Sequence, residues 1–332
     1  MCEIDRDLSM KLSRLSFVAA AMVVLQHAYA PYWSGVLETI LCCGLVIWDV
    51  PYFFIVAGFM VFKDWDVWNF KLYKSKICGR VRSLFVPYVL WTIYGIILGA
   101  VAVVSGLRTN SFCVNDSSWW LSATGISEAS MYAGHLWFIR RLFLFVLISP
   151  LVAWCAKRIG WGLVPIFMLM FVLGLKSYGT WSNLSFFYFG ACSAIRSDAP
   201  LRMRIEKKWT GAIFCIYLLA LAFRYVTICS DIMIVYRIGE LTAIVAGLMF
   251  FNALYDNWTR YFCYLDWFKQ CSFIVYCSHQ SLYQFIKTTV KLILPVGGLY
   301  VAFMIALVLS IAIAFGLKRL SPRFYAIVSG GR

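Results

Sequence analysis

Residues 17–30 read FVAAAMVVLQHAYA, an apolar run that carries one histidine, His27, near its end. The two other histidines of the chain have equally apolar surroundings: His135 lies in GHLWFIRRLFLFVLIS and His279 in CSFIVYCSHQSLYQF. Runs of this kind are typical of helices that cross a membrane. A group that titrates near neutral pH is costly to place in hydrocarbon. The three positions therefore indicate either proton chemistry or histidines that are hydrogen-bonded within a helix bundle.

The composition extends this interpretation to the whole chain. Of 332 residues, 62% are hydrophobic and only 14% are charged, and the mean hydropathy is +0.79. A soluble domain is near half apolar and about a quarter charged. Because the excess is spread along the chain, we predict one all-α domain over residues 1–332, a polytopic membrane helix bundle. The twelve cysteines show no metal-ligand spacing, and we expect no metal.

Ten segments are long and apolar enough to be predicted as membrane helices. Their approximate limits are residues 15–33, 36–62, 84–105, 135–156, 159–176, 182–195, 209–226, 234–255, 271–294 and 297–317. The stretch 63–83 mixes aromatic with basic residues, which is typical of a helix lying at the membrane interface.

The distribution of Lys and Arg predicts the orientation. If the N-terminus is cytoplasmic, every basic cluster in a loop falls on the cytoplasmic side of ten alternating spans. An odd number of helices would break this alternation, so we predict ten helices with both termini in the cytoplasm. Topology then accounts for most of the net charge of +15, and we expect the lipid bilayer, not nucleic acid, as partner.

The longest predicted outer loop, residues 106–134, is polar and aromatic. Its composition fits either contact with a glycan or a cap at the membrane interface. The residues that give it this character are Asn115, Asp116, Ser117, Trp119, Trp120 and Glu128.

A basic cluster lies near the predicted cytoplasmic mouth. Arg80 and Arg82 come just before the third predicted span, close in sequence to Lys74. Arg suits bidentate phosphate binding and Lys acts as a point charge, so the cluster fits an anionic, phosphate-bearing ligand. The positive-inside rule would produce the same cluster without any ligand.

Arg140 and Arg141 lie about one and a half turns inside the fourth predicted span. Adjacent helical residues point about 100° apart, so we expect at least one of the two to face the bundle. Glu240, at the start of the eighth predicted span, is a possible partner for Arg237 or Arg140.

Five segments, taken in order, resemble the integral membrane acyltransferase 3 family, whose members transfer acyl groups to sugars and related acceptors. The resemblance covers most of the chain. The segments are VVLQH at 23–27, VPYFFIVAGFMVF at 50–62, KICGRVRSLFVPYVLW at 76–91, HLWFIRRLFLFVLISPL at 135–151 and CSFIVYCSHQSL at 271–282.

Three positions depart from the family's pattern. Ser16 stands eleven residues before His27, where family members usually have an arginine. Arg14 is two residues earlier, roughly 200° around a helix. Ala57 stands where the second motif usually has serine, and Arg141 where many relatives have an acidic residue.

The resemblance implies a reaction and its partners. The donor is acyl-CoA, often acetyl-CoA, on the cytoplasmic side. The acceptor is a hydroxyl of a cell-surface polysaccharide or a lipid-linked glycan. The enzyme is a multi-pass protein of the cell membrane, and the substrates fit the bacterial cytoplasmic membrane.

A mechanism follows from the resemblance and the residues together. We expect His27 to act as general base on the acceptor hydroxyl. His135 or an arginine such as Arg140 would stabilise the oxyanion. An acyl-histidine intermediate is the alternative to direct transfer. We interpret His279 as a structural hydrogen-bonding residue. The residues expected to bind the CoA phosphates are Arg80, Arg82, Lys74 and Arg14.

Two other functions use the same kinds of residue. Intramembrane His, Arg and Glu also occur in proton-coupled transporters. The chain shows no convincing repeat at half its length, which weighs modestly against a transporter. The third interpretation is a non-catalytic membrane protein of polysaccharide assembly.

Overall fold

The structure is a computed structural model, and it describes residues 6–27, 35–63, 70–105, 134–174, 178–294 and 298–331. Regular structure in these ranges is helical throughout, with no β-strand among the described residues, which confirms the all-α prediction. The predicted outer loop lies outside the described residues up to residue 133.

Helices of very different length follow one another along the chain. They are α1 (Arg6–Gln26), α2 (Val36–Ile40), α3 (Asp49–Phe62), α4 (Phe70–Arg80), α5 (Val86–Val104), α6 (Trp137–Leu147), α7 (Ser149–Arg158), α8 (Leu163–Val172), α9 (Tyr178–Ile195), α10 (Ala199–Arg202), α11 (Lys207–Thr227), α12 (Met233–Asn257), α13 (Thr259–Phe262), α14 (Ser272–Ile293), α15 (Gly298–Leu320) and α16 (Pro322–Val328).

Six stretches of the described residues are long and apolar enough to cross a membrane. This number supports a multi-pass membrane protein. The helix Gly160–Val172 is apolar but shorter, and α14 is long but is not among the six. Ten spans and two cytoplasmic termini therefore stay predictions. The six stretches are Arg6–Gln26, Val36–Phe62, Tyr73–Val101, Lys207–Thr227, Met233–Asn257 and Gly298–Leu320.

The first helix is displaced from its predicted limits of 15–33. Helix α1 begins at Arg6 and ends at Gln26, so His27 is the first residue after the helix. The early start has a physical reason, because charged residues of its first turns have partners. Lys11 Nζ lies 2.9 Å from a carboxylate oxygen of Asp256, for example. Hydropathy alone did not predict this helical extension.

The fourth predicted span, 135–156, is not one straight helix. It consists of Gly134–Leu147 and Ser149–Arg158, which meet at an angle of 65°. Pro150 has no N–H to donate to the carbonyl four residues earlier, so the helix breaks just before it. The hydroxyl of Ser149 donates to that carbonyl, Val146 O, instead.

The segment predicted to lie at the interface, 63–83, joins the next span. Helix α4 continues through a π-helical turn, Val81–Phe85, into α5. Pro87 follows this turn and cannot donate to the carbonyl of Ser83, which is consistent with the wider turn at this point. The structure thus has one helix where the sequence predicted two elements.

The chain forms two compact units, each assembled from several segments. The first unit comprises Met1–Met22, Tyr29–Lys74 and Phe145–Lys269, and the second comprises Val23–Ala28, Ser75–Leu144 and Gln270–Arg332. The prediction of one domain stays a prediction.

The first unit contains a helix pair in backbone contact. A Cβ atom added to Gly58 of α3 would lie 2.1 Å from the carbonyl oxygen of Phe187 on α9. A Cβ atom on Gly190 of α9 would lie 2.1 Å from the carbonyl oxygen of Ile55 on α3. Two glycines therefore let α3 and α9 approach until their backbones touch, as small residues do between membrane helices.

In the second unit, α14 and α15 also pack through small side chains. The hydroxyls of Ser278 on α14 and Ser310 on α15 form a hydrogen bond, with an Oγ–Oγ distance of 2.9 Å. Four fully buried small residues of α15 recur every four positions and so form one face of the helix. They are Ala302, Ala306, Ser310 and Ala314. Close packing of this kind holds the middle of α14, where His279 lies.

Residues near the C-terminus pack against residues 83–91 in the second unit. The indole Nε1 of Trp91 on α5 donates to the carbonyl oxygen of Val328 on α16, at 3.0 Å. Gly330 has φ +70°, and a Cβ atom there would lie 2.2 Å from Ser83 O. Only glycine adopts this conformation at low cost, and the contact leaves no room for a side chain.

Candidate active site

All three histidines of the chain meet within the second unit. The ring centroids of His27 and His279 are 5.1 Å apart, and those of His135 and His279 are 5.0 Å apart. The residues come from three separate parts of the sequence. His279 lies between the other two in this histidine cluster, although we expected it to have a structural role.

His135 lies in a short 3-10 turn, Gly134–Leu136, that leads into α6. It is 6% exposed, and its Nε2 is 2.8 Å from the carbonyl oxygen of Cys277. A carbonyl oxygen only accepts hydrogen bonds, so Nε2 carries the proton and Nδ1 is a lone pair. That Nδ1 is buried and has no hydrogen-bond partner among the described residues. The hydroxyl of Tyr276 donates in turn to the carbonyl of His135.

His279 is completely buried in the middle of α14. Its Nδ1 lies 3.0 Å from Val275 O and 2.7 Å from Tyr276 O, so Nδ1 carries the proton. Nε2 is then a lone pair, and it too is buried without a hydrogen-bond partner in the described parts of the chain. The structural hydrogen bond expected for His279 is present at Nδ1, whereas Nε2 has no partner among the described residues.

His27 differs from the other two histidines in its position. It is partly exposed, and its backbone N–H bonds to Val24 O at 3.2 Å, directly after the C-terminal end of α1. The C-terminal end of a helix carries partial negative charge and favours a cation, whereas the N-terminal end disfavours one. His135, at the N-terminal end of α6, has the opposite environment. Of these two histidines, His27 is the better placed to accept a proton.

The cluster offers two fixed lone pairs and one histidine that is open to other groups. Such a site can accept hydrogen bonds from a hydroxyl and can hold its proton after transfer. The described residues contain no group of three His, Cys, Asp or Glu side chains arranged to hold a metal ion. In this tautomer His135 presents an acceptor to the cluster. Stabilising an oxyanion needs a donor, so the oxyanion role of His135 stays a prediction.

The arginines of α6 lie beside the cluster in sequence but contact other groups. Arg140 is half-buried and interacts electrostatically with Tyr88 of α5. The guanidinium of Arg141 lies 4.8 Å from the ring centroid of Trp137, one helical turn earlier. Arg140 therefore stays a predicted oxyanion residue on the basis of its charge and burial alone.

The predicted donor-binding residues of the α4–α5 helix carry their charge without ion pairs among the described residues. Arg80 is half-buried, whereas Lys74 and Arg82 are exposed. Cations in this state are available to an anionic ligand, and they also suit the membrane surface.

Arg14, the fourth predicted donor-binding residue, is engaged by the protein itself. Its guanidinium makes a bidentate pair with Asp266, at 2.8 and 2.7 Å, and a weaker bond to the Tyr255 hydroxyl at 3.3 Å. The hydrogen bonds from Arg14, with help from Lys269, lower the pKa of Asp266 to about 2. The hydroxyl of Ser16, where the family usually has arginine, donates back to Leu12 O.

Arg14 also lines a polar cavity of about 580 Å³ in the first unit. Five basic side chains and three carboxylates face this cavity, so its lining has an excess of positive charge. The ionisable residues that line it are Arg6, Asp7, Lys11, Arg14, Arg202, Arg204, Asp256 and Asp266.

Glu240 pairs with Arg237, one of the two partners predicted for it. Arg237 Nη1 lies 2.7 Å from Glu240 Oε2, one turn apart on α12. The arginine is 7% exposed at its side chain, so this is a largely buried pair.

Sequence reasoning did not single out Lys287, which lies on the same helix as His279 of the histidine cluster. Lys287 lies two turns further along α14, about 12 Å by the helical rise, and acts electrostatically on His27. Its spacing of eight residues from His279 was the available signal, because residues four apart share a helix face.

The fold and the cluster define a class of protein: a multi-pass membrane helix bundle with buried imidazoles suited to proton transfer. The chain belongs to the acyltransferase 3 family, because the sequence profile of this family, described as an acyltransferase domain, matches residues 15–318. This confirms the family resemblance read from the five segments.

One curated relative is similar over part of the chain. It is the Succinoglycan biosynthesis protein ExoH of Rhizobium meliloti (strain 1021), 24% identical over 174 residues. The match covers 46% of this chain and 45% of the relative, so it spans less than half the length of that protein. No solved structure is significantly similar to the chain.

Proposed function

We propose that this protein is an O-acyltransferase, most simply an O-acetyltransferase, of a cell membrane. It moves an acyl group from acyl-CoA to a hydroxyl of a surface polysaccharide or a lipid-linked glycan. Family membership supports acyl transfer, and the relative's name supports a polysaccharide acceptor. The observation that carries the proposal is the histidine cluster, with a partly exposed His27 beside two buried histidines of fixed tautomer.

His27 performs the proton transfer in this proposal. Its neutral imidazole removes the proton of the acceptor hydroxyl while the oxygen attacks the thioester carbonyl. A C–O bond forms, the C–S bond breaks, and the CoA sulfur takes the proton that His27 held, so that CoA leaves as the thiol. The negative end of α1 stabilises the imidazolium in between. The positive charge of Lys287 or Arg140 stabilises the oxyanion.

The location follows from the predicted topology. With ten spans and both termini in the cytoplasm, the basic cluster at Arg80 and Arg82 faces the compartment that holds acyl-CoA. The acceptor reaches the histidines from the opposite side. We assign the protein on this basis to the cytoplasmic membrane of a bacterium.

The test uses purified full-length protein in detergent, radiolabelled acetyl-CoA and a glycan acceptor. We expect His27→Ala and His27→Gln to lose transfer by a factor of about 10²–10⁴, the usual contribution of a general base. Gln26→Ala is the matched control, because Gln26 is exposed and adjacent to His27. Normal transfer by both His27 variants would refute the proposal.

In the same proposal, Arg80 and Arg82 bind the phosphates of CoA. These two cations lack ion pairs among the described residues, whereas Arg14 already has Asp266. We expect Arg80→Ala with Arg82→Ala to raise the KM for acetyl-CoA about tenfold or more, with kcat little changed. Arg204→Ala is the control, since Arg204 is an exposed cation of the first-unit cavity. If Arg204→Ala alone raises the KM for acetyl-CoA, the donor binds in that cavity and not at Arg80 and Arg82.

The rival functions predict different products. A proton-coupled transporter would move substrate across vesicles without transferring label. A non-catalytic assembly protein would do neither. Label transfer that requires His27 excludes both.

A further inference from the structure

The buried lone pair on His279 is the feature of the cluster that the reaction above leaves unused. Its Nδ1–H is shared between two carbonyl oxygens of the preceding helical turn, which holds the ring in one tautomer. A buried acceptor without a donor is unfavourable. A purely structural role for His279 explains the hydrogen bonds of Nδ1 but does not explain why the acceptor Nε2 is buried without a donor.

Only a donor can satisfy Nε2 of His279. His135, at 5.0 Å between ring centroids, presents a lone pair of its own, and two acceptors cannot bond each other. Tyr276 lies 6.0 Å away between ring centroids, but its hydroxyl already donates to the carbonyl oxygen of His135. The remaining neighbouring ring belongs to His27, at 5.1 Å and tilted by 34°. A neutral His27 has one N–H, and after taking a proton it has two.

We propose that His279 is the positioning residue of the base His27. In the reacting complex its Nε2, which has no partner among the described residues, accepts a hydrogen bond from one ring N–H of His27. The other nitrogen of His27 is then the lone pair that faces the acceptor hydroxyl. This inference rests on the proposed function. It assigns to a neutral imidazole the task that a carboxylate performs in a serine protease triad, to orient the base and stabilise its cation.

The proton balance of the reaction is unchanged by this role. The acceptor proton moves to His27 and leaves with the CoA thiol. His279 accepts a hydrogen bond and gains no proton, because its Nδ1–H stays on the carbonyl oxygens of Val275 and Tyr276. A neutral acceptor also suits this site, since a carboxylate in the same buried position would carry a large desolvation cost.

The experiment compares two substitutions at His279 in the full-length protein. The amide oxygen of glutamine lies near the position of Nε2 and keeps an acceptor, whereas alanine removes it. We expect His279→Ala to lower kcat about 100-fold, with the KM for acetyl-CoA within about twofold. His279→Gln should restore at least tenfold of that loss.

Ser278→Ala is the matched control. Ser278 is fully buried one residue away, and its hydroxyl bonds Ile274 O and Ser310 Oγ within the helix pair. Loss of this hydroxyl should lower the melting temperature in detergent and leave kcat per folded molecule unchanged. If His279→Ala fails to fold, His279→Leu takes its place, because leucine fills the site without an acceptor and should lower kcat in the same way, whereas His279→Gln should again restore most of it.

The outcomes separate this inference from the proposed function. Loss of activity in His27→Ala together with a parental kcat in both His279 variants overturns the positioning role alone. An equal loss of kcat in His279→Ala and His279→Gln also overturns it, because an acceptor would then make no difference. A parental kcat in His27→Ala overturns the proposed function itself.

Discussion

The glycine contact between α3 and α9 gives a sharp prediction about stability. Gly58 lies in the VPYFFIVAGFMVF segment, and its backbone touches that of Phe187. Gly58→Ala places a methyl group 2.1 Å from the Phe187 carbonyl oxygen, where ordinary contact begins at 3.4 Å. The obstacle is helix backbone, so no side chain can turn away. The two helices must separate by more than about 1 Å.

The magnitude follows from two opposing effects. Overpacking of a well-packed interior costs about 1–3 kcal/mol, and a backbone clash belongs at the upper end. Replacing glycine by alanine within a helix returns about 1 kcal/mol. We therefore expect Gly58→Ala to lose about 2 kcal/mol. At roughly 2–4 °C per kcal/mol for a large domain, the melting temperature falls by about 4–8 °C.

The assay is thermal unfolding in detergent, followed by size-exclusion fluorescence, for two single variants and their combination. Gly190→Ala should match Gly58→Ala, since its methyl group would lie 2.1 Å from Ile55 O. One separation of the helices relieves both clashes, so the double variant should lose clearly less than the two losses added. Gly211→Ala is the control, because nothing lies within 4 Å of its added Cβ.

Two results would refute this reasoning. A Gly58→Ala variant as stable as Gly211→Ala would mean that the backbones of α3 and α9 are not in contact. Fully additive losses in the double variant would mean that the two glycines do not share one interface.

Two further predictions concern polar contacts. The carboxylate of Asp266 is held ionised by Arg14, so its stabilising effect is complete above the unfolded pKa of about 4 and is lost as the pH falls through about 2. In thermal melts, Asp266→Asn should be less stable than the parent at neutral pH, and the difference should shrink between pH 4 and pH 2; a constant difference would contradict the pairing. Trp91→Phe removes the donor to Val328 O and should lose about 1–3 kcal/mol, because that carbonyl is left buried without its partner. A parental melting temperature for Trp91→Phe would contradict that bond.

Much of the fold class could be read from the chain because hydropathy is a local property. A run of apolar residues indicates a membrane helix wherever it packs, and several predicted limits match the structure closely. The seventh and eighth predicted spans, 209–226 and 234–255, correspond to Lys207–Thr227 and Met233–Asn257. Hydropathy misled where polar groups find distant partners, as at the start of α1, and where a proline breaks a run, as at the end of α6.

The sequence by itself determined that this protein is an all-helical membrane protein of an acyltransferase family, and it singled out three histidines in apolar surroundings. It could not show that they meet, because His27, His135 and His279 are separated by more than a hundred residues at each step and only the packing of the helices brings them together. The tertiary structure also decided the tautomer of His135, since the carbonyl oxygen of Cys277 selects which nitrogen carries the proton, whereas the tautomer of His279 depends on Val275 and Tyr276 of its own helix. Composition follows directly from the sequence, whereas the orientation of a lone pair depends on the position of the neighbouring backbone in the folded protein.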